Sequence, residues 1–314
     1  DMTSLAPIFE LTPGATISPA SGSVQNFTTP VRYTVTSEDK AWHRVYAITA
    51  REQKASNIPT TYHFEKVRIM QNVWQEFYEE QDSGNELTWA SGNKGFKWAM
   101  SEAATEDYPT TQIDNGKTGK CVKLETRLTG DLGNMVGMPI AAGNLFIGSF
   151  DMLNAITNPL SATRFGTPFY NKPLRLTGYY KYKAGEQFYE NGEYTSRKDI
   201  FNIYAIFYDG VKYDSAGKGT DVTLDGNLPN QNYEHSSMVA LALVSNPQET
   251  EGDEWKFFDI PFDYQRYGKK IDEARLAKGE YKIGIIFASS KDGATFEGAP
   301  GSTLLIDEVE LIYE

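Results

Sequence analysis

The sequence predicts an all-β protein: a small Ig-like β-sandwich module over residues 1–53, then a larger jelly-roll β-sandwich over 61–314. Three observations lead there. Short runs with alternating apolar residues follow one another along the chain, which is the period of a half-buried strand. The composition is rich in residues that suit strands and turns, with 19 Tyr, 17 Phe and 27 Gly. Helical periodicity is nearly absent, and only Lys269–Leu276 reads as a short helix. At 314 residues the chain has room for about two domains.

The elements follow in order. Residues 5–11 read as a strand, Pro13-Gly14 as a turn and 16–23, TISPASGS, as a loop. Val31, Tyr33 and Val35 alternate before the polar turn Glu38-Asp39-Lys40, and Trp42–Ala50 returns, which predicts a hairpin. Residues 51–60, REQKASNIPT, read as a linker. Seven further strands are expected within KCVKLETR (120–127), NLFIGSF (144–150), LRLTGYYKY (174–182), IFNIYAIFY (200–208), MVALALV (238–244), WKFFDIPF (255–262) and YKIGIIFA (281–288). The closing stretch GSTLLIDEVELIYE (301–314) is another, with Asp307 in mid-strand, where acids are depleted. Strands without intervening helices argue for a sandwich over a parallel sheet.

The net charge is −12, a field that repels a phosphate backbone or an anionic membrane surface, so no nucleic-acid partner is expected. A single cysteine, Cys121, excludes an intrachain disulfide and sits where a small strand residue fits. No stretch reaches the roughly 18 apolar residues of a membrane span. The opening DMTSLAP carries neither an initiator Met nor a signal peptide, so any targeting signal or membrane anchor is expected upstream.

Chemistry-bearing motifs are few. There is no phosphate-cradling GxxxxGK, and His43, His63 and His235 form no metal-ligand motif. Acids cluster at Glu249, Glu251, Asp253 and Glu254 and again at Asp214, Asp221 and Asp225. Such loops are usually solvated surface, and a glycosidase would need two of these carboxylates to face each other about 5–9.5 Å apart. Aromatics among small polar residues are more suggestive. WASGNKGFKWAM (89–100) offers Trp89 and Trp98 beside Asn93. SSKDGATFEGAPG (289–301) offers Lys291, Asp292 and Phe296. Flat rings accept the C–H faces of a pyranose, and the amide, ammonium and carboxylate groups suit its hydroxyls. These six residues are the expected ligand-binding set. Aromatics capping the core beneath long loops are the competing reading.

Residues 61–314 resemble the PCMD family, the putative carbohydrate metabolism domain found in surface proteins of gut anaerobes. The resemblance is carried by WASGNKGF (89–96), YPTTQIDNGKTGKCVKLETR (108–127), IAAGNLFIGSF (140–150), RFGTPFYNKPLRLTGYYKYKAG (164–185), DIFNIYAIFYD (199–209) and ASSKDGATFEGAPGSTLLIDEVEL (288–311). Residues 1–50 resemble the Ig-like module that precedes that domain. The resemblance implies a jelly roll similar to carbohydrate-binding modules, in which an acid of an IDDV-like closing strand and one near the first strand ligate a structural Ca2+. Asp307 in LLIDEVEL matches the first and Glu65 in YHFEKV is the candidate for the second, a salt bridge to Lys66 or Arg68 being the alternative. The expected function is glycan capture by a surface or periplasmic protein, an outer-membrane lipoprotein with a polysaccharide or oligosaccharide partner and no organic cofactor. A glycoside hydrolase using paired carboxylates is the alternative.

Overall fold

The computed structural model describes residues 2–50, 55–81 and 83–314, which fall into two compact units, 1–55 and 56–313. The first half of the expected linker and the expected boundary at residue 53 lie outside the described residues. Its second half belongs to the second unit: Ile58 is buried, and the Thr60 carbonyl accepts the Leu311 N–H at 2.7 Å.

The first unit carries one antiparallel sheet of Thr16–Ser18, Val31–Thr36 and His43–Ile48, in that order. The expected hairpin forms with Thr36 opposite His43, and the Asp39 carboxylate holds its turn by accepting the Ala41 N–H at 3.0 Å. Residues 5–11, expected as a strand, contribute only a bridge between Leu5 and Gln25, whereas Thr16–Ser18, within an expected loop, pairs with Thr34–Thr36. Tyr33 and Phe27 are the buried side chains, and Phe9 packs edge-on against Tyr33 at 4.7 Å.

The second unit is a jelly-roll sandwich of two antiparallel sheets. One runs Lys256–Pro261, Pro173–Lys183, Thr303–Tyr313, Cys121–Glu125, Thr110–Ile113, with Thr61–Tyr62 also on the closing strand. The other runs Asn144–Phe146, Tyr281–Ala288, Asn202–Asp209, Met238–Leu243, with Thr167–Pro168 also on Tyr281–Ala288. Their facing side chains form the main core, among them Val122, Leu124, Leu176, Ile306, Ile203, Phe207, Ile285 and Phe287. Cys121 is buried on the opposite face of its strand from Val122 and Leu124, and burial pushes its thiol up to about 12, which leaves it protonated and inert.

The second sheet is buried on its outer face as well. Ile203, Ala205 and Phe207 point into the sandwich, while Tyr204, Ile206 and Tyr208 point the other way into a second cluster with Phe146, Phe165 and Leu224. Burial on both faces explains why IFNIYAIFY is almost continuously apolar. The covering layer leaves the sheet at Gly148, whose φ of +150° and close approach to the Arg164 carbonyl admit no side chain. From there the chain builds a small sheet of Gly148–Phe150, Thr163–Phe165 and Leu224–Asp225, with the helix Met152–Thr157 between its first two strands. Asp151 caps that helix by accepting the Leu153 N–H at 3.0 Å.

Two expectations shift. The helix expected over Lys269–Leu276 shortens to Glu273–Leu276, started by the Asp272 carboxylate accepting the Ala274 N–H at 2.9 Å. The stretch read as a polar-aromatic loop folds as a helix, Asn93–Ala99. No described helix is long and apolar enough to cross a membrane.

Candidate functional site

Between the outer face of the second sheet and its covering layer lies a cavity of about 170 Å³. Phe146, Phe165, Tyr204 and Ile286 form its floor. Phe96 and Trp98 come from the helix Asn93–Ala99, Phe150 and Ile156 from the covering layer, and Lys291 and Phe296 from the loop after Tyr281–Ala288. Three expected ligand-binding residues, Trp98, Lys291 and Phe296, thus meet at one cavity although nearly 200 residues separate them. Trp98 and Lys291 remain exposed there. Phe296 adopts φ +58°, which turns the loop after Gly293–Thr295.

The other three expected residues are placed differently. Trp89 is 1% exposed, packed edge-on against Tyr62 at 5.0 Å and tilted against Phe287 at 5.9 Å, so its ring cannot meet a ligand. Asn93 is fully buried: its amide donates to the Thr110 carbonyl at 2.7 Å and its oxygen accepts the Thr110 N–H at 3.1 Å. It acts as a strand partner for the chain and is not free to bind hydroxyls. Asp292 stands beside the cavity, with its carboxylate ion-paired to Arg197. Residues not foreseen from sequence complete the lining, notably Phe150, Met138 and Ile156.

None of the described residues lining this cavity is Asp or Glu. The acidic clusters seen in the sequence lie elsewhere and are largely engaged. Glu249 pairs with Lys198, Asp253 with Lys181 at 2.7 Å, and Asp221 with Lys282 at 2.7 Å. Asp214 closes its own turn by accepting the Lys218 N–H at 2.9 Å. A second, more open cavity of about 450 Å³ holds Asp259 and Asp263. There Arg175 holds Asp259 at 2.6 Å, and Asp263 accepts the N–H groups of Gln265 and Arg266.

Glu65 and Asp307 reach the same loop, residues 116–120, from opposite ends of the unit's sequence. Asp307 accepts the Thr118 N–H at 3.0 Å, and Glu65 accepts the Lys120 N–H at 2.8 Å. The neighbouring Glu308, at φ +49°, makes a bulge where the register against Pro173–Lys183 slips, and its carboxylate meets His63 Nδ1 at 3.0 Å. The mid-strand acid Asp307 therefore stands beside the bulge and anchors a loop. Neither alternative for Glu65 forms, because Lys66 pairs with Glu80 and Arg68 with Glu86. The groups facing both carboxylates are N–H donors, whereas calcium needs six to eight oxygens. No described cluster of three or more His, Cys, Asp or Glu stands ready for a metal. As they stand, Glu65 and Asp307 do not fit a calcium site.

Burial raises the Asp307 carboxyl from 3.8 to about 6, against the pull of the Thr118 and Glu308 N–H groups. Between those values the folded chain holds more protons than the unfolded chain. The contribution is fully present below 3.8 and is lost as pH rises through about 6. Urea unfolding from pH 4 to 7 should show wild-type protein losing on the order of 2 kcal/mol relative to Asp307→Asn across that window. Chelation with EDTA should leave both profiles unchanged. Stabilisation by millimolar calcium that disappears in Asp307→Asn would restore the cation reading.

The putative carbohydrate metabolism domain matches residues 63–312. The chain belongs to the PCMD family. Its N-terminal residues 1–50 match the SGBP N-terminal family. A crystal structure of a putative glycoside hydrolase from Bacteroides vulgatus ATCC 8482 is 50% identical, with a TM-score of 0.76, covering 83% of this chain and 100% of that one. A second, of a putative glycoside hydrolase from Bacteroides thetaiotaomicron VPI-5482, is 46% identical, with a TM-score of 0.73, covering 100% of this chain and 87% of that one. None of the curated proteins compared with this PCMD chain matches it.

Proposed function

We propose that this PCMD protein captures a saccharide, without cleaving it, at the mouth of the cavity beside Trp98, Phe296 and Lys291. One observation carries the reading: exposed aromatic and ammonium groups converge at a cavity whose described lining includes no carboxylate. Stacking rings and a donor hold a neutral sugar, whereas hydrolysis by paired carboxylates has no acid or base there. Affinity is weak and nearly independent of salt, because ring faces and hydroxyls carry it. The setting proposed for this glycan handling is the cell surface or the periplasm.

Trp98→Ala should weaken glycan binding roughly tenfold by titration calorimetry and leave the melting temperature within a degree or two, because the ring is 38% exposed. Unchanged binding in that variant counts against the site. Both crystal-structure relatives are putative glycoside hydrolases, which keeps a second reading in play. Release of reducing sugar from a polysaccharide panel, lost on replacing Asp259 or Asp263, would establish hydrolysis in the second cavity and overturn the proposal.

A further inference from the structure

The interior of the cavity differs chemically from its mouth, and the difference bears on what kind of saccharide is held. A sugar ring sunk into it would need partners for its hydroxyls. Most polar side chains of the lining already have partners. Asn144 accepts the Gly92 N–H at 2.8 Å, and its amide reaches the Ala142 carbonyl at 3.4 Å. The Asn202 amide donates to the Tyr233 hydroxyl at 2.9 Å. The Ser290 hydroxyl donates to Asp199 at 2.6 Å, and Thr129 donates to the Met138 carbonyl. Among the described lining side chains this leaves the Thr163 and Tyr204 hydroxyls, the Trp98 indole N–H and the exposed Lys291 ammonium. Unpaired hydroxyls buried in such a place would cost more than their contacts return.

The size and shape of the space suit an apolar guest. At about 170 Å³ it is close to the ~150 Å³ apolar cavity in another protein that takes up benzene. Its walls are aromatic and already arranged edge to face: Phe146 meets Phe165 at 5.3 Å and Phe165 meets Tyr204 at 6.3 Å, both near perpendicular. A six-membered aromatic ring would extend that array in the geometry aromatic pairs favour.

We infer that the cavity receives an aryl substituent of the bound saccharide, carried as a glycoside or an ester, while the sugar stays at the mouth against Trp98 and Phe296. The inference rests on the binding reading above and names its ligand class: an aryl-substituted saccharide. The Thr163 hydroxyl is one group available to a linking oxygen or a ring hydroxyl.

The test is titration calorimetry of the full chain with matched methyl and phenyl β-glycosides of glucose, galactose, xylose and mannose, and with phenol alone. For the sugar that binds, the phenyl member should bind about 10- to 100-fold tighter than the methyl member, the range set by burying a ring of that area. Ala155→Phe, which fills the cavity from the helix Met152–Thr157, should abolish that difference and leave the methyl glycoside bound as before. Ala294→Phe fills the same space from the other wall and serves if the first variant does not fold. Equal affinity within every pair overturns the inference and leaves the binding reading standing. Phenol binding as tightly as the phenyl glycosides also overturns it, because the sugar then adds nothing. No binding by any glycoside removes the binding reading and the inference with it.

Discussion

Trp89→Ala should destabilise the protein by about 3–5 kcal/mol and lower its melting temperature by on the order of 10 °C, the cost of emptying a large ring's place in a packed core. Trp89 lies where the two sheets and the entry to the helix Asn93–Ala99 meet. Tyr62, Phe64 and Phe287 surround it at ring distances of 5.0 to 5.9 Å. Tyr62 extends the closing strand's sheet, and Phe287 belongs to the facing sheet, so one deletion loosens both. The indole N–H has no partner among the described atoms, so its removal strands no hydrogen-bonded group and the loss is one of packing. Trp89→Phe should recover more than half of it. The comparison with Trp98→Ala is the informative one: nine residues apart, the first substitution should move stability and the second binding. Differential scanning calorimetry and ligand titration on both proteins check this. A Trp89→Ala protein that melts like wild type would mean the ring is not packed as described.

The two tryptophans also show what the sequence made legible. In ELTWAS the buried Leu87 and Trp89 alternate with the more exposed Glu86 and Thr88, a period-two signal that points Trp89 inward. Past Gly92 the period changes. Phe96, Ala99 and Met100 lie three and four residues apart on one helix face, and Trp98 stands off that face. Reading the whole stretch as one loop hid the switch, since Gly, Ser and Asn are weak helix formers. The strands were legible because period two survives burial on one face. The cavity was not, because it depends on the excursion from Gly148 across the second sheet, a long-range placement that no local spacing encodes. Lys291 and Phe296 stand out in the sequence for their company of small polar residues, and the fold brings them to the cavity that Trp98 also lines. The bulge at Glu308 was equally hidden: a left-handed Glu has no local signature. Asp307 reads as a ligand because its strand resembles the closing strand of carbohydrate-binding modules, and in the fold its carboxylate accepts a backbone N–H of a neighbouring loop.

Asp199 carries the second large expected effect, and nothing in the sequence singled it out. The carboxylate is 2% exposed and takes four donors: the Ser290 and Ser302 hydroxyls at 2.6 and 2.7 Å, the Ala299 N–H at 2.8 Å and the Ile200 N–H at 2.9 Å. Ser290 in turn meets the Thr126 hydroxyl at 2.6 Å, and Ser302 accepts the Gly185 N–H at 2.9 Å. One acid therefore fixes the start of the strand Asn202–Asp209, the loop bearing Lys291 and Phe296, and the entry to the closing strand. Asp199→Ala leaves these buried donors facing a void and should cost about 3–5 kcal/mol. Asp199→Asn should cost less, since its oxygen keeps the three donors on one side while its amide opposes only the Ile200 N–H. Burial raises the pKa of this carboxyl, so its contribution is greatest at low pH and fades as pH rises through the folded value. The gap between wild type and Asp199→Asn should accordingly narrow toward neutral pH, as read from urea midpoints at pH 4, 5.5 and 7. Because the same network carries the Lys291–Phe296 loop, Asp199→Asn should also weaken saccharide binding at temperatures well below its melting point. Full affinity in a destabilised Asp199→Asn protein would uncouple the network from the site.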